Sequence, residues 1–217
     1  MPASTVTPRW VAVRRRGLLW QPAMPAMRSV CVFCGSSSRI ADVHRTAAAE
    51  LGTLIADRGL RLVYGGGRVG LMGILADAAL TAGGEVVGVI PQFLVDLEVA
   101  HTGLTELRIV DSMHTRKQAM AELADAFVAL PGGFGTLEEA VEVMTWYQLG
   151  LHRKPTVLLS VDGFWEPFRE LAERFVREGF AHPDQRASFT LVSRVDAVID
   201  TLAADPGAAV GAALKWT

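Results

Sequence analysis

Short apolar runs alternate with longer amphipathic segments along most of the chain, starting at Arg28. The apolar runs have the length of buried strands and predict strands at Ser29–Cys34, Leu60–Tyr64, Glu85–Ile90, Leu107–Val110, Ala126–Leu130 and Thr156–Leu159. The segments between them have helical spacing and predict helices at Asp42–Arg58, Leu71–Ala82, Thr115–Ala124, Thr136–Leu149, Trp165–Glu178 and Arg194–Ala203. This alternation favours right-handed βαβ units, so we predict an α/β fold with a doubly wound parallel sheet.

Several loops fall at the carboxyl ends of these predicted strands, where ligands of parallel sheets bind. They are Gly35–Ser38, Gly65–Gly67, Asp111–Arg116 and Pro131–Gly135. No internal repeat or linker-like break interrupts the pattern. We therefore predict a single domain over residues 28–205, followed by a C-terminal tail at 206–217.

Composition narrows the class of protein. Half of the 217 residues are hydrophobic and the net charge is only −2, which gives no reason to expect nucleic acid or an anionic membrane as a partner. No apolar run approaches the roughly 18 residues of a spanning helix. Cys31 and Cys34 form a C-x-x-C on a predicted strand, which favours two small buried residues over a redox pair and fits a reducing cytoplasm. The five histidines are scattered, so we predict no metal site.

The N-terminal residues 1–27 differ from the rest of the chain. They are rich in arginine, and the first acidic residue is Asp42. This composition resembles a transit peptide, but a disordered arm or an upstream start is the simpler interpretation, because Met24 and Met27 lie just before the first strand. We favour the simpler interpretation.

The segment Pro131–Glu139 carries the most functional information. It reads Pro-Gly-Gly-Phe-Gly-Thr-Leu-Glu-Glu and joins a buried strand to a helix. Glycines at such a junction let backbone N–H groups surround an anion at the positive end of the helix. Two carboxylates, Glu138 and Glu139, follow in the first turn of the predicted helix, so the segment predicts a phosphorylated ligand with an acid beside it.

A second glycine segment, Gly65–Gly70, satisfies G-x-G-x-x-G and raises the possibility of a dinucleotide site. Two features argue against that interpretation. The segment follows the second strand, and Glu85 opens the next strand instead of closing it, which puts its carboxylate at the wrong edge to hold a ribose. A phosphate or ribose cradle fits better. Gly35 and Ser36 end the first strand, and they fit an anion site and a plain turn equally well.

Arg116 and Lys117 are predicted near a helix N-terminus, where the helix dipole prefers anions. A cationic pair in that place favours a role in ligand binding. Glu139 has two interpretations. Thr136 and Glu139 have the spacing of a capping box, which would explain the carboxylate without any catalysis, but capping does not explain the glycines that precede it. Since successive helix residues lie about 100° apart, Glu138 and Glu139 cannot both face the ligand.

Four motifs taken together resemble the Lonely Guy (LOG) family of cytokinin riboside 5′-monophosphate phosphoribohydrolases, which are often mislabelled lysine decarboxylases. These motifs are Cys34-Gly-Ser-Ser37, Gly65-Gly-Gly67 with Gly70-Leu-Met-Gly73, Met113-His-x-Arg-Lys117, and the Pro131–Glu139 segment. The resemblance spans roughly Arg28 to Ala203 and implies a Rossmann-like fold and a homodimer. Phe134 stands where the family commonly has tyrosine, and the N-terminal arm has no counterpart.

The resemblance also implies a set of site residues. Arg116 and Glu139 match the family's catalytic residues. The implied substrate contacts are Gly35, Ser36, Gly66, Gly67, Glu98, Met113, Lys117, Gly132, Gly133, Gly135, Thr136, Glu138 and Thr145.

The implied reaction is hydrolysis of the N-glycosidic bond of an adenosine-type 5′-monophosphate, without metal or redox cofactor. Whether the protein prefers AMP or a prenylated AMP as substrate stays open. Two further hypotheses remain. Lysine decarboxylation would need a pyridoxal-phosphate lysine, for which Lys117 and Lys154 are poor candidates because they are expected to be exposed. A non-catalytic nucleotide or molybdopterin carrier would need no carboxylate at the sugar.

Overall fold

The computed structural model describes residues 27–97 and 99–204. Its strands are β1 (Ser29–Phe33), β2 (Arg61–Tyr64), β3 (Val86–Pro91), β4 (Glu106–Val110), β5 (Ala126–Ala129), β6 (Thr156–Leu159) and β7 (Thr190–Val192). Its α-helices are α1 (Asp42–Asp57), α2 (Leu71–Thr81), α3 (Gln92–Asp96), α4 (Met113–Leu123), α5 (Phe134–Gln148), α6 (Glu166–Arg177) and α7 (Val198–Ala204). All six predicted strands are confirmed to within one residue at each end.

The strands form one parallel sheet in the order β4-β3-β2-β1-β5-β6-β7. Both faces of the central strands are covered, so every position of β1 and β5 is buried, and all of them except Ser29 are apolar. Val30 and Val32 of β1 pack toward the layer of α1, α2 and α7, whereas Cys31 and Phe33 pack toward α4 and α5. The predicted doubly wound α/β fold is therefore confirmed.

The strand order reverses at β1, which pairs with β2 on one side and with β5 on the other. In sheets of this kind, the crevice beyond the carboxyl ends of the strands at this switch point is the usual ligand site. The loops that leave β1, β2 and β5 begin at Cys34, Gly65 and Leu130. The topology therefore brings the glycine segments of two distant parts of the sequence to one edge of the sheet.

Among the strands and α-helices of the described residues, one strand and one helix were not predicted from the sequence. Strand β7 has three residues and helix α3 has five, and elements this short carry too little periodicity to be recognised. The predicted helix at Arg194–Ala203 begins with a 3-10 turn at Val195–Ala197 before α7. The predicted N-terminal arm at 1–27 lies outside the described residues except for Met27, and the predicted C-terminal tail at 206–217 lies outside them entirely.

Cys31 and Cys34 are both buried and free, as the interpretation of two small core residues requires. Burial is the main reason that the pKa of each thiol is raised above its ordinary value, which keeps both unreactive. Within residues 27–97 and 99–204, no helix combines the length and the apolar composition needed to cross a membrane.

Candidate active site

A pocket of about 510 Å³ opens at the switch point of the sheet. Of the residues implied as catalytic or substrate-binding, it is lined by Gly35, Ser36, Gly67, Arg116, Gly133, Gly135, Thr136 and Glu139. These residues come from the ends of β1 and β2, from α4 and from the start of α5. The fold thus gathers four separate motifs into one cavity.

Arg116 reaches this pocket from the end of the first turn of α4. The helix begins at Met113, and the Ser112 hydroxyl caps it by accepting a hydrogen bond from the Thr115 N–H at 3.1 Å. The prediction that the helix starts at Thr115 was therefore wrong by two residues, because the Ser112 cap was not recognised. Arg116 is the fourth residue of the helix, at the end of its first turn, so the dipole argument for its role is weaker than the sequence indicated.

The guanidinium of Arg116 is buried, with 7% of the residue exposed. Its N–H groups donate to the Val89 carbonyl at 3.1 Å, the Gly65 carbonyl at 3.3 Å and the Glu139 carboxylate at 3.0 Å. These bonds tie the side chain to the ends of β3 and β2 and fix its planar fork at the pocket wall. A Cβ atom at Gly65 would lie 1.8 Å from Nη2 of Arg116, so only glycine leaves room for this arrangement.

Glu139 faces Arg116 from α5 and is equally buried, at 7% exposure. The capping-box prediction was wrong. Helix α5 begins at Phe134 with Gly133 as its N-cap, so Thr136 is the third helical residue, and no side chain caps the helix. Burial raises the pKa of Glu139 above its ordinary value, although the Arg116 charge acts in the opposite direction. A carboxylate of this kind is a better proton acceptor than an exposed one.

The N-terminus of α5 offers an anion site beside this ion pair. Its first-turn N–H groups have no side-chain cap, and the helix dipole favours negative charge there. A Cβ atom at Gly133 or at Gly135 would have no heavy atom within 4 Å. The protein itself therefore does not require glycine at these two positions, and the open space is available to a ligand.

The Gly65–Gly70 segment is used differently. The N–H of Arg68 donates to the Val99 carbonyl at 2.9 Å, and the N–H of Leu71, the first residue of α2, donates to the Gly35 carbonyl at 3.0 Å. These two backbone N–H groups are therefore bonded to protein carbonyls and are not free to bind a phosphate. Glu85 pairs with Arg61 at 2.8 Å on the opposite edge of the sheet, which agrees with the argument against a dinucleotide.

Several implied substrate contacts do not line the pocket. Gly132 packs under Thr136, and a Cβ atom on it would lie 2.1 Å from the threonine Oγ1, whereas Gly66 has a positive φ of 73° beside Ile90. Met113 is partly exposed, with its sulfur 4.0 Å from Nη1 of Arg116. Thr145 lies near the far end of α5, exposed, and donates to the Val141 carbonyl. Glu98 lies outside the described residues.

Lys117 and Glu138 also lie outside the pocket lining, and they contact each other. The Lys117 ammonium forms ion pairs with Glu138 and, at 3.1 Å, with Glu142. The prediction that Lys117 is exposed was wrong, since only 8% of the residue is accessible. Lys154 is half-buried and donates to the Ala121 carbonyl at 2.6 Å. The role of both Lys117 and Glu138 in substrate binding stays a prediction.

The site residues implied by the resemblance include neither Gly65 nor the apolar wall, although Gly65 belongs to a loop predicted at the ligand edge of the sheet. The wall comprises Val69, Met72, Ile90, Leu94, Val99 and Met120. Gly65 could have been predicted as a site residue, because it directly follows β2 at the edge of the sheet where ligands bind. Each of the six wall residues comes from a different element or loop, and no local pattern connects them.

The fold and this pocket together define a Rossmann-like α/β protein with an anion-accepting site at the switch point of its sheet. The sequence model of a family described as "Possible lysine decarboxylase" matches residues 72–202, more than half of the chain. The cytokinin riboside 5′-monophosphate phosphoribohydrolase of Rhodococcoides fascians is 47% identical over 200 residues, which cover 92% of this chain and 94% of that protein. The chain therefore belongs to the LOG family.

A plant relative and two solved structures extend the comparison. The phosphoribohydrolase LOG of Oryza sativa is 50% identical over 73% of this chain and 66% of its own length. The molybdenum cofactor carrier protein of Chlamydomonas reinhardtii has a TM-score of 0.62 at 21% identity over 80% of this chain and 94% of its own. The molybdenum cofactor binding protein of Rippkaea orientalis has the same TM-score and coverage at 22% identity. At these identities the two structures share the fold alone.

Proposed function

We propose that this protein hydrolyses the N-glycosidic bond of adenosine-type 5′-monophosphates, with or without an N6-prenyl group, to a free base and ribose 5-phosphate. The observation that carries the proposal is the buried Arg116–Glu139 pair, 3.0 Å apart, in a pocket next to the uncapped N-terminus of α5. A 5′-phosphate would bind the first turn of α5, which brings the sugar close to the carboxylate. The named activity of the relatives in Rhodococcoides fascians and Oryza sativa supports this assignment.

The proposed reaction breaks the bond between C1′ of the ribose and N9 of the base. The bonding electrons leave with the base, and positive charge develops on the sugar ring. Glu139 stabilises that charge and accepts a proton from the water that adds to C1′. The same proton then neutralises the departing base through solvent, so that base and ribose 5-phosphate are the only products.

Arg116 has a supporting role in this scheme. Its guanidinium stays protonated at any physiological pH, so it does not deliver the proton. It holds the Glu139 carboxylate in place and offsets the negative charge that builds up on the leaving base. The chemistry assigned to these two side chains requires no metal or redox cofactor.

The proposal is tested by incubating the protein with AMP and with N6-isopentenyl-AMP and separating the products by chromatography. We expect free base and ribose 5-phosphate in equal amounts. Faster release from the prenylated nucleotide would define a cytokinin-forming enzyme, and faster release from AMP a nucleosidase. Tight nucleotide binding without any base release would contradict the proposal and favour a carrier.

A lysine decarboxylase is the function that the family description suggests, but the pocket argues against it. Such an enzyme needs a lysine amine that can lose its proton and form a Schiff base. Lys117 is buried, which by itself lowers its pKa, but the hydrogen bonds to Glu138 and Glu142 outweigh this and raise the pKa above its ordinary value. Neither Lys117 nor Lys154 lines the pocket.

We also propose that the protein is a homodimer that works in a reducing cytoplasm. Helix α6 is amphipathic but has no fully buried residue, and Phe175 is 43% exposed on it. Thr145, implied by the resemblance as a substrate contact, is exposed near this face, and its place along α5 is about 14 Å from Thr136 by helical rise. Thr145 can be a substrate contact if a second copy brings it to the pocket of its partner.

The dimer is tested by light scattering after size exclusion. We expect twice the mass of one chain for the wild type and a single-chain mass for Phe175→Glu. Arg177→Glu, on the opposite side of α6, is the matched control and should stay dimeric. A monomeric wild-type protein at micromolar concentration would contradict this part of the proposal.

A further inference from the structure

Two ion pairs run side by side between α4 and α5. Arg116 pairs with Glu139, and the next residue of α4, Lys117, pairs with the preceding residue of α5, Glu138. Because successive helical residues point about 100° apart, the two pairs face different ways. Arg116 and Glu139 line the pocket, whereas Lys117 and Glu138 do not. Lys117, which the family resemblance implies as a substrate contact, therefore contacts other protein side chains outside the pocket lining.

The burial of Lys117 distinguishes this pair from an ordinary surface salt bridge. Its side chain is 9% exposed, whereas those of Glu138 and Glu142 are 54% and 26% exposed. Withdrawing an ammonium group from water costs several kcal/mol unless carboxylates compensate for it. Two carboxylates from successive turns of α5 hold the ammonium, which makes Lys117 a fixed link between the helices that carry Arg116 and Glu139.

We propose that Lys117 is a positioning residue of the active site, which joins α4 to α5 through Glu138 and Glu142 and so holds Glu139 in place opposite Arg116. The inference rests on the proposed function for its consequence in catalysis. It assigns Lys117 to the protein framework, in contrast to the substrate contact that the family resemblance implies.

The charged groups around Glu139 predict in which direction each substitution should shift the pKa of this carboxyl group. Burial raises the pKa of Glu139, Arg116 and Lys117 from α4 lower it, and Glu138 from α5 raises it. The thiols of Cys31 and Cys34 lie on the β1 side and stay neutral. Removing the Lys117 charge should therefore raise the pKa of Glu139, and removing the Glu138 charge should lower it. A variant that only loosens the fold has no reason to move this pKa in opposite directions.

The test compares Lys117→Met and Glu138→Gln with Glu122→Gln as a control. Glu122 is an exposed carboxylate of α4 that accepts a hydrogen bond from Gln118, whereas the charges that shift the pKa of Glu139 are those of Arg116, Glu138 and Lys117. Carbon-13 NMR of labelled glutamate carboxyls gives the pKa of Glu139 directly, and the acidic limb of the pH profile of kcat/KM gives it through turnover.

We expect shifts of roughly half a pH unit, upward for Lys117→Met and downward for Glu138→Gln, with no shift for Glu122→Gln. The KM for the nucleotide should stay within about twofold in Lys117→Met, because Lys117 is outside the pocket lining. Lys117→Arg keeps the charge and should restore the wild-type profile. If Lys117→Met fails to fold, Glu138→Gln alone still reports the sign, since Glu138 is largely exposed.

A tenfold rise in KM for Lys117→Met without any pKa shift would overturn the inference and make Lys117 a substrate contact. Shifts of the same sign in both variants would overturn it as well. The NMR titration separates this result from the fate of the proposed function. If the wild type releases no base, the proposed function fails, but opposite shifts of the Glu139 pKa would still support the positioning role.

Discussion

The two glycine loops of this protein have similar sequences and opposite uses. The first loop, Gly65–Gly70, follows β2, and the second loop, Pro131–Gly135, follows β5. Both join a buried parallel strand to a helix at the edge of the sheet where the pocket opens. In the first loop, the space that glycine leaves is filled by the protein. In the second loop, most of that space stays open.

The contacts of each loop show this difference. In the first loop, a Cβ atom on Gly65 would strike Arg116, and one on Gly70 would lie 2.5 Å from the Ser36 backbone. In the second loop, Gly132 is similarly filled by Thr136, but Gly133 and Gly135 have no neighbour within 4 Å of such an atom. A glycine motif alone thus does not reveal whether its space serves packing or a ligand. The comparison yields three predictions.

The largest effect is expected for Gly65→Ala. The new Cβ would displace the Arg116 guanidinium, which sits at the end of a flexible side chain, so the fold should survive while the Arg116–Glu139 geometry is lost. A misplacement of about 1 Å can cost about 100-fold in rate. We expect kcat/KM for nucleotide hydrolysis to fall by about that factor, with a far-ultraviolet circular dichroism spectrum like that of the wild type. Full activity in Gly65→Ala would show that the first loop does not hold Arg116 in a geometry that turnover needs.

A smaller effect, confined to substrate binding, is expected for Gly133→Ala. The free protein has room for the methyl group and φ is −89°, so the midpoint of thermal unfolding should fall only slightly, by the cost of replacing glycine with alanine at the N-cap. The methyl group would intrude on the phosphate, and we expect KM to rise by about tenfold, equivalent to about 1.4 kcal/mol. Steady-state kinetics and calorimetry on the same preparation check both parts. A marked loss of stability with unchanged KM would show that this glycine serves packing.

The smallest effect on turnover is expected for Gly70→Ala. Gly70 has a positive φ of 67° and approaches the backbone of Ser36, so alanine is strained there. We expect the free energy of unfolding in urea to fall by about 1–3 kcal/mol, while kcat per folded molecule stays within about twofold of the wild type. A specific loss of kcat with intact stability would indicate that the first loop, too, acts on the ligand.

The regular elements could be predicted because their signals are local. Buried strands such as β5 and β6 are continuous apolar runs, and the five long helices repeat apolar residues over three turns or more. Strand β7 could not be predicted, because three residues pairing with β6 at the edge of the sheet leave no periodic pattern. The start of α4 was missed for a different reason, since the Ser112 cap competes with a plausible start at Thr115.

The site could be predicted only in part. The family resemblance named Arg116 and Glu139 as catalytic residues, and the structure joins them in an ion pair, while their catalytic roles stay a prediction. The capping-box interpretation of Glu139 failed because the helix begins at Phe134. The link between Lys117 and Glu138 joins residues 21 positions apart, and its burial depends on how α4 and α5 pack. Long-range packing of this kind leaves no trace in spacing or composition.

The most direct test of the central claim is the turnover of Glu139→Gln. Glutamine keeps the size of the side chain and can still accept a hydrogen bond from Arg116, but it cannot take a proton from water. We predict that base release from the preferred nucleotide falls by at least about 100-fold while the nucleotide still binds. If Glu139→Gln releases base at the wild-type rate, Glu139 is not the catalytic carboxylate and the account of the site is wrong.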